Sequence, residues 1–217
     1  MKEFFGKIRA SQKPYSIPKQ MLISIGILLF GVFMGTFSKY LDYRQANLPA
    51  LLHLIDSSVD LHNFLGKLAP WIVIAVCITV YSTTPIRAGT NVFVFFAGMV
   101  SSYYWYSNFI AGFFPKSYAL IWIVFTAAAP FLALLCWYAK GTGRIAFLLS
   151  SGVTGVLLNC AFNYGIFYID ISSGLELLML AIGVFVLHKS FKETAKMIGT
   201  GAVFAIIMKA VIPFRIW

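Results

Sequence analysis

Seven apolar runs, separated by short basic loops, constrain this chain more than any other feature of its sequence. They cover Met21–Ser38, Leu68–Thr83, Thr90–Ile110, Tyr118–Tyr138, Ile145–Ile169, Ile171–His188 and Met197–Pro213. Each is near the roughly 20 residues that a helix needs to cross a bilayer. In lipid the backbone must satisfy its own hydrogen bonds, so such runs are expected to be helices. Composition agrees: 60% of the residues are hydrophobic, 11% are charged and the mean hydropathy is +0.84. A soluble domain of 217 residues cannot bury that much apolar surface. A soluble enzyme and a disordered chain are excluded on that ground. The expected fold is all-α, a polytopic transmembrane helix bundle of six or seven spans. Residues 1–20 form a cytoplasmic basic tail and 21–217 a single transmembrane helical domain, with an outer loop at about 39–67.

The net charge of +10 would suggest a nucleic-acid partner in a soluble chain. Here the basic residues gather in the loops, as the positive-inside rule describes, so no nucleic acid is expected. With the N-terminus inside, the inner segments hold 11 basic residues against the two acids Glu3 and Glu193. The outer side holds six basic residues against Asp42, Asp56, Asp60, Asp170 and Glu176. This bias predicts a multi-pass plasma-membrane protein with its N-terminus in the cytoplasm and its C-terminus outside. The first span reads as an uncleaved signal-anchor, because about 20 residues precede it. The cysteines Cys77, Cys136 and Cys160 all fall in apolar runs and read as small core residues.

The outer loop carries Leu51, Leu52, Leu54, Ile55, Val59 and Leu61 after Pro49, the pattern of a short amphipathic helix on the outer surface or over the bundle mouth. His53, Asp56 and Asp60 share a face of that helix, and His62 faces away unless the helix ends first. Two imidazoles and two carboxylates are a donor set for a divalent metal. An ordinary solvated face opposite the leucines is the preferred reading, so no cofactor is expected.

Within the spans, polar and small residues line up. Gly152, Gly155, Asn159 and Asn163 share one helical face. Gly98, Ser101, Ser102, Trp105 and Asn108 cluster on another span, and Ser24, Gly31, Gly35 and Ser38 on the first. Small residues let helix backbones approach closely, so these faces are expected to pack and hydrogen-bond against other helices, with Gly31 and Gly35 the contact offered to any partner membrane subunit. Glu176 and Lys209 each lie about 9 Å in from the outer end of a span, with opposite charges at one depth. Ionisable groups inside a membrane mark a site or a partner, so a Glu176–Lys209 pair is expected, the alternative being that each snorkels to the nearby surface. The run Tyr103-Tyr104-Trp105-Tyr106 sits at the same level and reads as an aromatic belt or a pocket wall. Pro130 inside the fourth run should kink it or free a carbonyl.

There is no HExxH, GxSxG or Walker A pattern, so a non-enzymatic role is expected. The segments Ser38-Lys39-Tyr40-Leu41-Asp42, Pro70-Trp71, Thr84-Pro85-Ile86-Arg87 and Phe114-Pro115-Lys116-Ser117-Tyr118, in that order, resemble an uncharacterised family of small multi-pass bacterial membrane proteins. That resemblance implies no activity. The basic N-terminus, the bundle and the outward polar half are also similar to the substrate-binding subunits of vitamin transporters. The leading expectation is a small-solute binding or transport component. Its outward-facing site would use Glu176 and Lys209 for charge, Asn159 and Asn163 for hydrogen bonds, and Trp105 with Tyr104 for stacking. The alternatives are an accessory or assembly subunit of a membrane complex, and an intramembrane enzyme.

Overall fold

The computed structural model describes residues 6–211. In chain order these residues form α1 (Ile17–Arg44), α2 (Ala50–Val59), α3 (Leu61–Gly66), α4 (Ala69–Tyr81), α5 (Pro85–Phe109), α6 (Lys116–Trp137) and α7 (Gly143–Ala161). A hairpin of β1 (Phe162–Tyr164) and β2 (Ile169–Ile171) follows, then α8 (Gly174–Leu187) and α9 (Phe191–Val211). Short 3-10 turns extend α1 at Gln45–Asn47 and α6 at Tyr138–Lys140. The charges at Lys2, Glu3 and Arg215, and the end of the seventh run at Pro213, lie outside the described residues.

Among the described residues, four helical stretches are long and apolar enough to cross a membrane: Ile17–Asn47, Lys116–Lys140, Gly143–Ala161 and Phe191–Val211. Several apolar helices of this kind are compatible with an integral membrane protein. α1 shows how such a surface is built. On α1 the large residues Met21, Leu22, Leu29 and Phe33 are exposed, while Gly31, Gly35, Ser38 and Leu41 are buried. Large apolar side chains outside and small ones inside are what a lipid solvent selects. The 25 residues of α5 also have the length to cross. The 13 residues of α4 and the 14 of α8 reach only about 20 Å each, short of the roughly 30 Å of hydrocarbon.

The fifth apolar run departs from expectation. Its apolarity predicts one helix over Ile145–Ile169, but α7 stops at Ala161 and the chain turns into the hairpin. Gly165 N–H donates to the Tyr168 carbonyl across the turn (2.9 Å), and the strands pair Phe162 with Ile171, Asn163 with Asp170 and Tyr164 with Ile169. Asn163 therefore sits on a strand, not on the helical face of Asn159. Residues 162–169 are apolar enough to read as the end of the span, yet aromatic and β-branched residues suit an extended chain better.

The chain groups into two units, each discontinuous in sequence. The first contains residues 6–12, 67–81 and 135–211, and hence α4, α7, the hairpin, α8 and α9. Its tightest pair is α7 with α9, where a Cβ on Gly155 would lie 2.8 Å from the Gly201 carbonyl oxygen. Val76 and Val80 of α4 join Val186 and Leu187 of α8 and Met197 of α9 in its core. Arg9 ties the N-terminal segment to this unit. Its guanidinium donates to the carbonyls of Trp137 (2.7 Å) and Val80 (2.8 Å) and lies 4.1 Å from the centroid of the Trp137 ring. Burial lowers the pKa of Arg9 from its ordinary value. Lys140 in the same way donates to the carbonyls of Val186 and His188, both at 2.6 Å, at the end of α8.

The second unit contains residues 13–66 and 82–134, and hence α1, α2, α3, α5 and most of α6. Pro18 occupies the first turn of α1, where its missing N–H costs nothing. Gly31 and Gly35 lie against the backbone of α5 at Phe95 and Met99, closer than any Cβ could approach, and Gly98 returns the fit against the Leu28 carbonyl. This small-residue stripe packs helix against helix within the chain, as such faces are expected to do. Ser102 adds a hydrogen bond to the Val32 carbonyl (2.9 Å). Near the start of α5, Arg87 donates to Ser24 Oγ (2.6 Å) and to the Gln20 carbonyl (2.9 Å), and Ser24 donates to Asn91 Oδ1 (2.9 Å). Pro130 lies inside α6 without ending it.

In α2 the amphipathic pattern is turned outward. Leu51, Leu54, Ile55 and Val59 are exposed while Asp56 is buried. An apolar face left uncovered by protein suits a helix lying in a membrane interface.

Candidate functional site

Glu176 lies in the first turn of α8, because the preceding residues belong to the hairpin. It therefore does not sit two turns into a span, as the continuous apolar run suggested. Ser173 caps this helix, accepting a hydrogen bond from Glu176 N–H (3.2 Å). The carboxylate thus lies at the positive end of the helix dipole. It is 2% exposed, and Lys67 Nζ donates to its Oε2 at 3.1 Å. Lys67 stands just before α4 and its side chain remains 40% exposed. A buried carboxylate is neutralised by a cation that still reaches solvent.

The expected Glu176–Lys209 pair is not formed. Lys209 Nζ donates to the Tyr164 carbonyl and lies 3.8 Å from the centroid of the Tyr164 ring. The hairpin supplies that carbonyl and ring, and it is the element that the span reading missed. Tyr164 OH donates in turn to Asn159 Oδ1 (2.6 Å), and Asn159 Nδ2 donates to the Ala205 carbonyl (3.0 Å). Asn159 is buried, and both ends of its amide hold α7, the hairpin and α9 together. Burial raises the pKa of the Tyr164 phenol, consistent with its role as a donor here. Asn163 is exposed and donates to Ser172 Oγ (3.1 Å).

Tyr104 and Trp105 belong to the second unit, whereas the other four expected contributors belong to the first. Adjacent on a helix, the two side chains diverge by about 100°. Tyr104 is buried, edge-on to Tyr103 and Phe114 with centroids 5.1 and 5.6 Å away, and its hydroxyl has no hydrogen-bond partner among the described residues. Trp105 is exposed and lies against Phe109. They do not form one stacking wall.

In the outer loop α2 does end before His62. Asp60 adopts a left-handed conformation (φ 54°) and its N–H closes on the Asp56 carbonyl (2.8 Å). The turn brings His62 back to Asp56, whose carboxylate meets His62 Nδ1 at 2.9 Å and accepts the His62 backbone N–H at 2.8 Å. The Gln45 amide lies 3.0 Å from His62 Nε2. These residues, with His53, Ser57 and Asp60, line a cavity of about 510 Å³. Asp56 serves His62 rather than a shared face with His53 and Asp60. Among the described residues, no group of three His, Cys, Asp or Glu is arranged to hold a metal.

Reasoning from sequence missed Lys67 and Tyr164. Lys67 was visible as a basic residue at the edge of the second apolar run, on the acid-rich outer side, where every cation is a candidate partner for an intramembrane acid. Tyr164 had no such mark, since its role depends on the hairpin. In comparison with known proteins, no family model, no curated protein and no solved structure matches this chain.

Proposed function

We propose that this chain is a small-solute binding or transport component of a plasma membrane, with its N-terminus in the cytoplasm and its polar site toward the outside. One observation carries the reading: Glu176, 2% exposed, is paired with a lysine that water reaches. A purely structural ion pair is usually as well replaced by apolar side chains, so a charged pair kept in an apolar bundle marks a site. A polar solute arriving from solution meets Lys67 first and gains access to Glu176 by displacing it. The Asn159–Tyr164–Lys209 chain fixes the hairpin, which leads directly into the helix that carries Glu176. The inner-loop excess of basic residues supports the orientation. Counting α5 and the two short helices with the four long ones supports seven membrane-embedded segments.

The test is thermal unfolding of the full chain in a mild detergent across a library of small polar metabolites. A ligand that binds only the folded state raises the midpoint by mass action. At least one solute class is expected to stabilise the parent and not Glu176→Gln. A library that never shifts the parent, or a shift unchanged in both Glu176→Gln and Lys67→Met, overturns the reading and favours an accessory subunit.

A further inference from the structure

The opposite end of the first unit carries a second candidate site. Where α7 begins, α8 ends and α9 begins, a cavity of about 390 Å³ opens. Its lining includes the cations Arg144, Lys189 and Lys196 against one acid, Glu193. Two other basic residues of this end already have occupations: Arg9 and Lys140 hold helix-terminal carbonyls. Arg144 and Lys196 have none. No hydrogen bond or ion pair engages either side chain among the described residues. Arg144 and Lys196 are exposed and Lys189 is half-buried, so an anion entering the cavity meets three cations, of which Glu193 offsets only one.

The remaining lining says which anion. Phe147, Leu187 and Met197 give the cavity an apolar side beside the cationic one. Thr142 precedes α7, but its hydroxyl turns to the Ile8 carbonyl (3.4 Å), so no side chain caps the first amides of α7. Ser190, by contrast, does cap α9, accepting from Glu193 N–H (3.3 Å). An arginine fork, two ammonium groups and open amides suit the several oxygens of a phosphate better than a single carboxylate. Both α7 and α9 are long enough to cross a membrane, and helices that do so begin at the level of the lipid phosphates. Basic pockets between spans on the cytoplasmic side are also where anionic headgroups bind.

We propose that the cavity lined by Arg144, Lys189 and Lys196 binds a phosphate group, carried by an anionic lipid headgroup or by a soluble phosphate ester. Burial lowers the pKa of Lys189, and a bound phosphate would restore favourable surroundings for its charge.

The experiment titrates the full chain in a neutral detergent with phosphatidylglycerol, phosphatidylcholine, inorganic phosphate and glycerol phosphate, and reads the thermal midpoint. Phosphatidylglycerol or the soluble phosphates are expected to stabilise the parent where phosphatidylcholine does not. Stabilisation by phosphatidylglycerol alone assigns the lipid, and stabilisation by the soluble phosphates assigns the ester. The double variant Arg144→Gln/Lys196→Gln should weaken the apparent affinity about tenfold or more, the loss expected for one or two charge-assisted hydrogen bonds. Lys7→Gln/Lys192→Gln removes the same charge from positions as exposed as Arg144 and Lys196 but outside the cavity lining, and should leave the affinity unchanged. If the first double variant does not fold, Arg144→Lys carries the comparison, because it keeps the charge but loses the forked donor. No stabilisation by any phosphate, equal weakening in both double variants, or unchanged affinity in Arg144→Lys overturns the proposal.

Discussion

Removing either partner of the Lys67–Glu176 pair should have unequal effects, and the inequality follows from their burial. At 3.1 Å and an effective dielectric constant of about 20, the attraction between the two charges is about 5 kcal/mol. Much of it is offset by the desolvation of Glu176, and water screens the 40% exposed side chain of Lys67. Lys67→Met leaves a buried carboxylate with only its helix terminus for support. That change is expected to cost about 3 kcal/mol, at the low end for a broken buried pair. Glu176→Gln returns Lys67 to solvent and should cost about 1 kcal/mol, the worth of one hydrogen bond. The double variant no longer buries an unpaired charge and should lose about 2 kcal/mol, leaving a coupling of about 2 kcal/mol. Equilibrium unfolding in mixed micelles, titrated with a denaturing detergent, measures all four proteins. A coupling near zero, or Glu176→Gln costing more than Lys67→Met, would refute the argument, since either result means that the carboxylate does not depend on the lysine.

Two further perturbations test the fold and the orientation. Gly35→Val drives a side chain into the Met99 backbone and should cost about 3 kcal/mol, whereas Gly26→Ala, on the same helix with no atom within 4 Å, should be neutral or gain up to about 1 kcal/mol. Equal midpoints for the two variants in thermal unfolding would remove the close α1–α5 approach. In a variant with Cys77, Cys136 and Cys160 replaced by alanine, Ala46→Cys should react with an impermeant thiol reagent in intact cells, and Lys192→Cys should react only after lysis. The reverse pattern would invert the topology.

Hydropathy alone located most of the helices, because a bilayer demands long apolar stretches and the chain meets that demand in most of its runs. It failed over 162–169, where hydropathy is blind to the difference between an apolar helix and an apolar hairpin. Glu176 was legible because a charge in an apolar run is conspicuous whatever its partner. Its partner was not, since Lys67 lies 109 residues away and nothing local to either residue records the encounter. Lys209 looked equally suitable by sign and depth, but the Tyr164 carbonyl and ring that take it exist only once the hairpin has formed. Gly31 and Gly35 were legible as a packing surface, though not as one already covered by α5. The amphipathic loop helix was found, and the burial of its Asp56 followed from the left-handed turn at Asp60, a single-residue event that periodicity does not report.

The bond from Arg9 to the Trp137 carbonyl has a consequence for biosynthesis. It joins residues 128 positions apart. A ribosome adding about 5–20 residues per second needs on the order of ten seconds to travel from one to the other. Throughout that interval the guanidinium has neither the carbonyl nor the indole that it finally occupies. Its other acceptor, Val80, emerges earlier but is only half of the seat. The N-terminal segment therefore cannot complete this contact until the end of α6 has been synthesised. Closure of this clasp cannot precede the synthesis of Trp137, so it comes after every helix from α1 to α6 has been made.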